Sequence, residues 1–146
     1  MNNELNYVLL KKDDKDIKLL KQYLLVDEIR KYISLSDNYF EYSYNNDFVY
    51  DYKIYLDNVL IGDLTVEEDK DVLYLSIWIL PKYWHHGYAK SSVEWIISKY
   101  KNTKFTKIKV GIDEKNIASK KLFKNLGFIY VNSDEEIENY VYYLKK

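Results

Sequence analysis

Residues 72–100 read VLYLSIWILPKYWHHGYAKSSVEWIISKY, and they place a strand, a tight loop and a helix in succession. The nine residues from Val72 to Leu80 are rich in β-branched and aromatic types, which favours a buried strand. Pro81 ends this strand because proline has no N–H group to donate to a ladder. Beyond the loop, apolar residues recur at helical spacing along one face, at Ala89, Val93, Ile96, Ile97 and Tyr100.

The loop that joins this strand and helix, residues 84–89, has the features of an anion-binding turn. A helix start leaves backbone N–H groups unpaired and carries a partial positive charge. Gly87 and Ala89 are small residues at the point where the helix begins, so a phosphate can approach the backbone there. Many such joints contain a glycine and bind nothing. The loop alone therefore leaves two alternatives, a pyrophosphate site and a purely structural turn.

Two blocks of sequence together resemble the acetyl-CoA-binding core of GNAT-type N-acetyltransferases. The family signature Gln/Arg-x-x-Gly-x-Gly/Ala appears here as WHHGYA at residues 84–89. Its second pattern, Asn-x-x-Ser followed by Gly-Phe, appears as NIAS at residues 116–119 and GF at residues 127–128. The resemblance extends over about residues 52–131. Within it, residues 80–89 are most similar to the branch that acetylates the N-termini of ribosomal proteins.

The resemblance implies a GNAT-like fold of the α/β (mixed α+β) class, with a central, mostly antiparallel sheet, two splayed strands and helices on both faces. The sequence pattern indicates the order β-α-β-β-β-α-β-α-β-β within a single domain, residues 1–146. Strands are predicted at residues 7–10, 48–56, 59–66, 72–80, 105–113, 128–131 and 140–144, and helices within 14–35, from 89 and at 117–126. Residues 36–47 are left open as a helix or a loop, and residues 67–71 and 133–139 are predicted as polar connections.

The composition excludes several classes of function. A net charge of −1 gives no sign of binding to nucleic acid or to an anionic membrane. The absence of cysteine excludes disulfides, thiolate metal sites and a catalytic thiol, and we expect no metal. The sequence has no apolar run of spanning length and no signal pattern at its start, so we expect a cytoplasmic protein. The 17 tyrosines are compatible with a homodimer.

The resemblance also implies which residues bind acetyl-CoA. Backbone N–H groups of the loop would bind the pyrophosphate, and main-chain groups at the end of the preceding strand would bond the pantetheine arm. Asn116 would contact the pantetheine amides, and Ser119 and Phe123 would line the thiol end. The implied cofactor-binding residues are Ile79, Leu80, His85, His86, Gly87, Tyr88, Ala89, Lys90, Asn116, Ser119 and Phe123. Trp84 stands where the family has Gln or Arg, and we expect it to pack against the loop.

The catalytic residues are unknown at this level. Many family members have a tyrosine seven residues after the Asn, which protonates the departing thiolate, but that position is Phe123. The position five before the Asn, a glutamate in some relatives, is Gly111. His85 and His86 are adjacent, so their side chains point apart, and we expect them to contribute backbone rather than a base. The carboxylates near the expected cleft are interpreted as turn or surface groups, and they are Asp63, Glu67, Glu68 and Asp113.

The implied function is an acetyl-CoA-dependent N-acetyltransferase that moves an acetyl group directly to a primary amine of a small molecule or a protein N-terminus. The alternative is a sensor module with the same fold that binds acyl-CoA without turnover. The missing tyrosine at position 123 and the missing glutamate at position 111 motivate this alternative. The sequence does not identify the acceptor amine, although the acidic segments 67–71 and 134–138 mildly favour a cationic one.

Overall fold

The computed structural model describes residues 4–33 and 35–145, and its centre is one seven-stranded sheet. The strands are β1 (Leu5–Leu9), β2 (Val49–Leu56), β3 (Val59–Asp69), β4 (Val72–Ile79), β5 (Lys107–Asp113), β6 (Ile129–Asp134) and β7 (Ile137–Tyr143). The helices are α1 (Ile17–Tyr23), α2 (Asp27–Arg30), α3 (Tyr39–Asn45), α4 (Tyr88–Tyr100) and α5 (Ile117–Asn125). The spatial order is β1-β2-β3-β4-β5-β7-β6, and only β4 and β5 pair in parallel. The predicted fold class is confirmed.

The β2–β3 hairpin turns at Asp57 and Asn58, and it brings β3 close to β4 at Gly62. The two strands are joined at Asp57, which has a φ of +54°, and Asn58. Their register shifts at Ile54, directly opposite Gly62, so the second strand carries a bulge. A Cβ atom added to Gly62 would lie 2.3 Å from the carbonyl oxygen of Trp78 on β4. Only glycine therefore fits between these two backbones.

The helices pack on both faces of the sheet. On one face, α4 and α5 bury apolar residues against the main core, including Val93, Ile96 and Phe123. On the other face, α1, α2 and α3 form a second cluster that packs on Leu60 and Trp78. None of the helices in residues 4–33 and 35–145 has the length and apolar character needed to cross a membrane.

Several element boundaries differ from the sequence-based expectation. Residues 36–47, which the sequence left open as a helix or a loop, contain the helix α3. The charged segment predicted as a connection at 67–71 lies mostly in β3, and the turn shrinks to Lys70 and Asp71, with a φ of +57° at Lys70. The connection predicted at 133–139 is a hairpin whose turn is only Glu135 and Glu136. In both cases a neighbouring strand supplies ladder hydrogen bonds, which outweigh the weak strand propensity of acidic residues.

We predict that Gly62→Ala lowers the free energy of unfolding by about 1–3 kcal/mol or more, because the added methyl group overlaps the backbone of β4. Denaturant unfolding followed by circular dichroism measures this loss. The matched control is Gly111→Ala, whose methyl group would meet only the side-chain tips of Ile137 and Asn139, at 3.1 and 3.5 Å. Equal losses in the two variants would contradict the close approach of β3 and β4.

Candidate active site

The strands β4 and β5 separate after a short paired segment. Residues 72–74 pair with residues 107–109, and no further pairing of these strands occurs in the described chain. The N–H of Leu80 donates to the carbonyl of Ile61 on the β3 side (2.8 Å). Because an antiparallel ladder alternates its bonding direction, Ile77 and Ile79 direct their main-chain groups to the opposite side, into the gap. The gap therefore offers backbone groups to an extended ligand, in the manner of an added strand.

The start of α4 lies just beyond the end of β4 and is open to a ligand. Gly87 is the N-cap, with a φ of +80°, and His85 before it has a φ of +66°. The amide of Ser91 donates to the carbonyl of Gly87 (3.0 Å), which closes the first helical turn. As a glycine, this N-cap has no side chain to occupy the helix N–H groups, and a Cβ added here would meet no atom within 4 Å. The helix start thus presents backbone N–H groups and a partial positive charge to an anion.

Trp84 joins the loop to the end of β4. Its indole Nε1 donates a hydrogen bond to the carbonyl oxygen of Ile79 (2.7 Å), while the ring stays 40% exposed. The expected packing role is therefore only part of its contribution. The hydrogen bond uses one lone pair of a carbonyl that faces the gap, so the second lone pair and the N–H of Ile79 are the groups left for a ligand.

Leu80 is less suited to bind a ligand than the sequence suggested. Its N–H donates to Ile61, and its carbonyl accepts from the N–H of Tyr83 (2.9 Å). The ladder alternation thus gives the donor role at this edge to Ile77 and Ile79 rather than to Leu80. Sequence alone could not fix this alternation, because a strand pattern does not say which neighbour each N–H faces.

The second sequence block forms the start and core of α5. Asn116 is the N-cap, and its side-chain oxygen accepts from the N–H of Ser119 (3.2 Å). The side-chain NH₂ of Asn116 is then the group that could reach a ligand amide. Phe123 is only 1% exposed and meets Phe128 edge to face, with ring centroids 5.0 Å apart. Contact of Ser119 and Phe123 with a thiol end stays a prediction.

The predicted loop residues carry no catalytic pair. His85, His86 and Lys90 are exposed, and the His86 ring lies 5.7 Å from that of Tyr88. Neither histidine forms an ion pair with a described carboxylate. Among the described residues, no group of three or more His, Cys, Asp or Glu side chains is placed to hold a metal ion. These residues therefore offer backbone and surface charge, and their contact with a phosphate stays a prediction.

Asp63 is buried, contrary to its interpretation as a turn or surface group. Asp63 is 1% exposed and lies beneath the layer formed by the helices α1, α2 and α3 (the α1–α3 layer). It is buried because β3 continues through this position as an inner strand of the sheet. The other three carboxylates are in partly exposed positions. Glu67 accepts from the hydroxyl of Tyr42 (2.9 Å), Glu68 from that of Tyr100 (3.3 Å), and Asp113 from the N–H of Lys115 (2.9 Å).

Asp63 and Asp51 of β2 form a buried carboxyl pair. Burial, and then the charge of Asp51, raise the pKa of Asp63 well above its usual range, and burial also raises the pKa of Asp51. Both oxygens of Asp51 and Oδ1 of Asp63 lack a donor in the described chain. Ser43 on α3 donates instead to the carbonyl of Tyr39 (3.1 Å). Since two buried negative charges side by side would be costly, the protonated form of this pair persists to higher pH than that of a free carboxyl.

A second charged group attaches the start of α1 to β2. The ammonium of Lys53 lies 3.0 Å from Asp14 and 2.8 Å from Asp16, and Tyr55 also donates to Asp16. Burial opposes ionisation of both acids, but hydrogen bonds lower the pKa of each below its usual value. The pKa of Asp14 is lowered by the N–H of Asp16 and by Lys53, and that of Asp16 by Lys53 and Tyr55. Further along, the hydroxyl of Tyr32 donates to the carbonyl of Lys115 (3.3 Å). The α1–α3 layer is thereby fixed to the sheet beside the gap.

A cavity of about 300 Å³ lies at the closed end of the gap. It is lined by Tyr74 and Leu75 of β4, by residues 109–111 of β5, and by residues of β6 and β7. The arrangement thus combines three features around the end of β4: an opened strand edge, an anion-accepting helix start and an adjacent cavity. This combination suits a long ligand with an anionic group at one end and a reactive group at the other.

Residues 18–128 match the family model described as the acetyltransferase (GNAT) family. No curated protein matches the sequence.

Solved structures share the fold at low sequence identity. A domain from Methanocaldococcus jannaschii has a TM-score of 0.84 at 22% identity, over 97% of this chain and 99% of that one. The Salmonella typhimurium acetyltransferase that modifies the N-terminal serine of ribosomal protein L7/L12 has a TM-score of 0.76 at 15% identity, over 96% and 99%. Spermidine N-acetyltransferase from Vibrio cholerae, solved with CoA and spermine, has a TM-score of 0.79 at 16% identity, over 98% and 97%.

We predict that Asp63→Asn reduces the loss of stability that accompanies rising pH. A carboxyl with a raised pKa in the folded state keeps its proton after the unfolded chain has released its own, at about pH 3.9. Stability therefore falls as the pH rises from there through the folded-state pKa. The variant should gain free energy of unfolding relative to the wild type as the pH increases, measured by urea unfolding between about pH 4 and pH 8.

The control for this experiment is Asp69→Asn, an exposed carboxyl on the same strand. Its stability difference from the wild type should change little over the same pH range. If the difference between Asp63→Asn and the wild type were independent of pH, the raised pKa of Asp63 would be contradicted.

Proposed function

The chain belongs to the acetyltransferase (GNAT) family, and we propose that it moves an acetyl group from acetyl-CoA to a primary amine of a small molecule or of a protein N-terminus. The observation that carries this proposal is that the β4–β5 gap and the glycine-capped start of α4 meet at the end of one strand. A pyrophosphate fits the helix start, and the pantetheine arm that follows it fits the strand edge.

The proposed contacts follow the polarity of the groups available. Backbone N–H groups of residues 85–90 bind the pyrophosphate, and Lys90 adds positive charge. The N–H groups of Ile77 and Ile79 bond the pantetheine amides from one side, and the NH₂ of Asn116 reaches them from the other. Ser119 and Phe123 belong to the wall at the thiol end.

The chain contributes chiefly by binding and orientation. When bound, acetyl-CoA supplies the acetyl group as a thioester whose thiolate can leave. Backbone N–H groups of β4 that face the gap hold the thioester carbonyl of acetyl-CoA. They favour the negative charge that develops on the oxygen of this carbonyl during transfer. We propose that transfer to the amine is direct, and the absence of cysteine excludes an intermediate in which a thiol of the chain carries the acetyl group.

Proton transfer is assigned to water. The histidines are exposed and lack a carboxylate partner, and Asp63 is closed off beneath the α1–α3 layer. An amine that arrives neutral needs no base to attack the carbonyl. Its proton then leaves through the open end of the gap, and no side chain is named as the catalytic acid.

A sensor that binds acyl-CoA without turnover is the second candidate. It is favoured by Phe123, which is 1% exposed and has no proton to donate at the place of the family tyrosine, and by Gly111, which has no carboxylate.

For either function we propose a cytoplasmic protein that uses no metal and binds neither nucleic acid nor a membrane. Either function is compatible with a homodimer. N-termini of ribosomal proteins, the substrates of the resembled branch, are one acceptor class to include in a test.

The experiment that tests the proposal is calorimetric titration with acetyl-CoA, followed by a thiol-release assay over a panel of primary amines and N-terminal peptides. Binding with release on at least one amine, and acetylated product by mass spectrometry, is the expected result. Binding without release on any member would favour the sensor. No binding would contradict both.

We predict that Gly87→Glu raises the Kd for acetyl-CoA at least tenfold, which is about 1.4 kcal/mol, because it places a negative charge at the helix start where the pyrophosphate binds. The matched variant Gly87→Gln adds the same bulk and the same backbone strain without the charge. Its Kd should rise by less, measured by the same titration. Equal effects of Glu and Gln would mean that no anion binds at this helix start.

A further inference from the structure

The cavity at the closed end of the gap lies where the acyl end of a bound ligand would be expected. Tyr74 and Lys109 are the last paired residues before β4 and β5 separate, and both line this cavity of about 300 Å³. Tyr74 is four residues before Trp78 on the same strand, so the cavity opens on the face that α1–α3 cover further along. A thiol end lying in the gap would point its acyl group toward this cavity, which is at the small end of the range for ligand sites.

Lys109 is the one lining residue of this cavity that carries a charge. Its ammonium lies over the ring of Tyr74, 5.8 Å from the centroid, and no described carboxylate forms an ion pair with it. On the next strand, Glu67 pairs with Tyr74, and its carboxylate accepts a hydrogen bond from the hydroxyl of Tyr42. Lys109 thus brings an uncompensated positive charge to the place where the acetyl group would be transferred.

The opposite side of the cavity is neutral and polar. The side-chain NH₂ of Asn139 donates to the side-chain oxygen of Asn132 (2.8 Å), which leaves the oxygen of Asn139 and the NH₂ of Asn132 for other partners. Gly111 keeps this side open, because a Cβ there would lie 3.5 Å from the Asn139 oxygen and 3.1 Å from Ile137. An amine can therefore bond to the Asn139 oxygen while a negative group lies near Lys109.

We propose that this cavity binds the acceptor and that Lys109 selects a small amine that also carries a carboxylate. The inference rests on the proposed function and names its substrate class. A carboxylate gains a charge-assisted hydrogen bond from Lys109, whereas a polyamine would place its second cation against the same ammonium. The acidic segments that favoured a cationic acceptor in the sequence lie in strands and turns outside this cavity's lining.

The test compares kcat/KM for acceptor pairs that differ only in charge, such as glycine with glycinamide and alanine with alaninamide, with spermidine as a cationic member. For each variant, kcat/KM for the acid is divided by kcat/KM for the matching amide, and this acid-to-amide ratio is then divided by the same ratio in the wild type. The second division cancels the different basicity of the amines. Lys109→Met should lower the ratio at least tenfold, mainly through KM for the acid, and Lys109→Glu should lower it further. Lys109→Arg should retain it.

The matched control is Lys107→Met, a lysine on the same strand and face that lies outside the cavity lining. Its ratio should equal that of the wild type, and calorimetry with acetyl-CoA shows that each variant is folded. An unchanged ratio in Lys109→Met, or a wild type that prefers spermidine and the amides after correction for the neutral amine fraction, would overturn the inference while leaving acetyl transfer intact. If the wild type acetylated no amine, the proposed function would fail and this inference with it.

Discussion

The separation of β4 from β5 is the constraint on which the rest of the structure depends. β4 is held on its other side by an eight-residue ladder with β3, and β5 by a seven-residue ladder with β7. Gly62 allows the backbones of β3 and β4 to lie close together near Trp78, and β4 stays paired with β3 after it separates from β5 beyond Tyr74. Two half-sheets result, and the backbone groups between them need a partner from outside the sheet, because unpaired polar groups in a protein interior are costly.

The helices that border the gap are held on the sheet by ionisable groups as well as by apolar packing. Lys53 holds Asp14 and Asp16 at the start of α1, and the Asp51–Asp63 pair lies beneath α3. Both groups are on the sheet face that carries α1–α3, which is also the face of the cavity at the closed end of the gap. This layer therefore lies on ionisable groups, whereas α4 on the other face is anchored by apolar contacts and by aromatic stacking with β1.

Features set by neighbouring residues could be predicted from the sequence, and features set by pairing across the sheet could not. The β2–β3 hairpin and the cap at Asn116 follow from turn chemistry and local spacing. The burial of Asp63 and the commitment of Leu80 to β3 depend on which strands lie on either side, which no local pattern contains. The two family blocks fall at the ends of β4 and β5, beside the proposed site, whereas the lysine and the asparagines of the cavity come from strands without a motif.

Amide hydrogen exchange with and without saturating acetyl-CoA tests the central claim most directly. The N–H groups of Ile77 and Ile79 face the gap, whereas that of Leu80 is already bonded to Ile61. The account predicts that exchange at Ile77 and Ile79 slows on binding, while Leu80 stays slow in both states. Binding of acetyl-CoA without any change at Ile77 and Ile79 would contradict the assignment of the gap as its site.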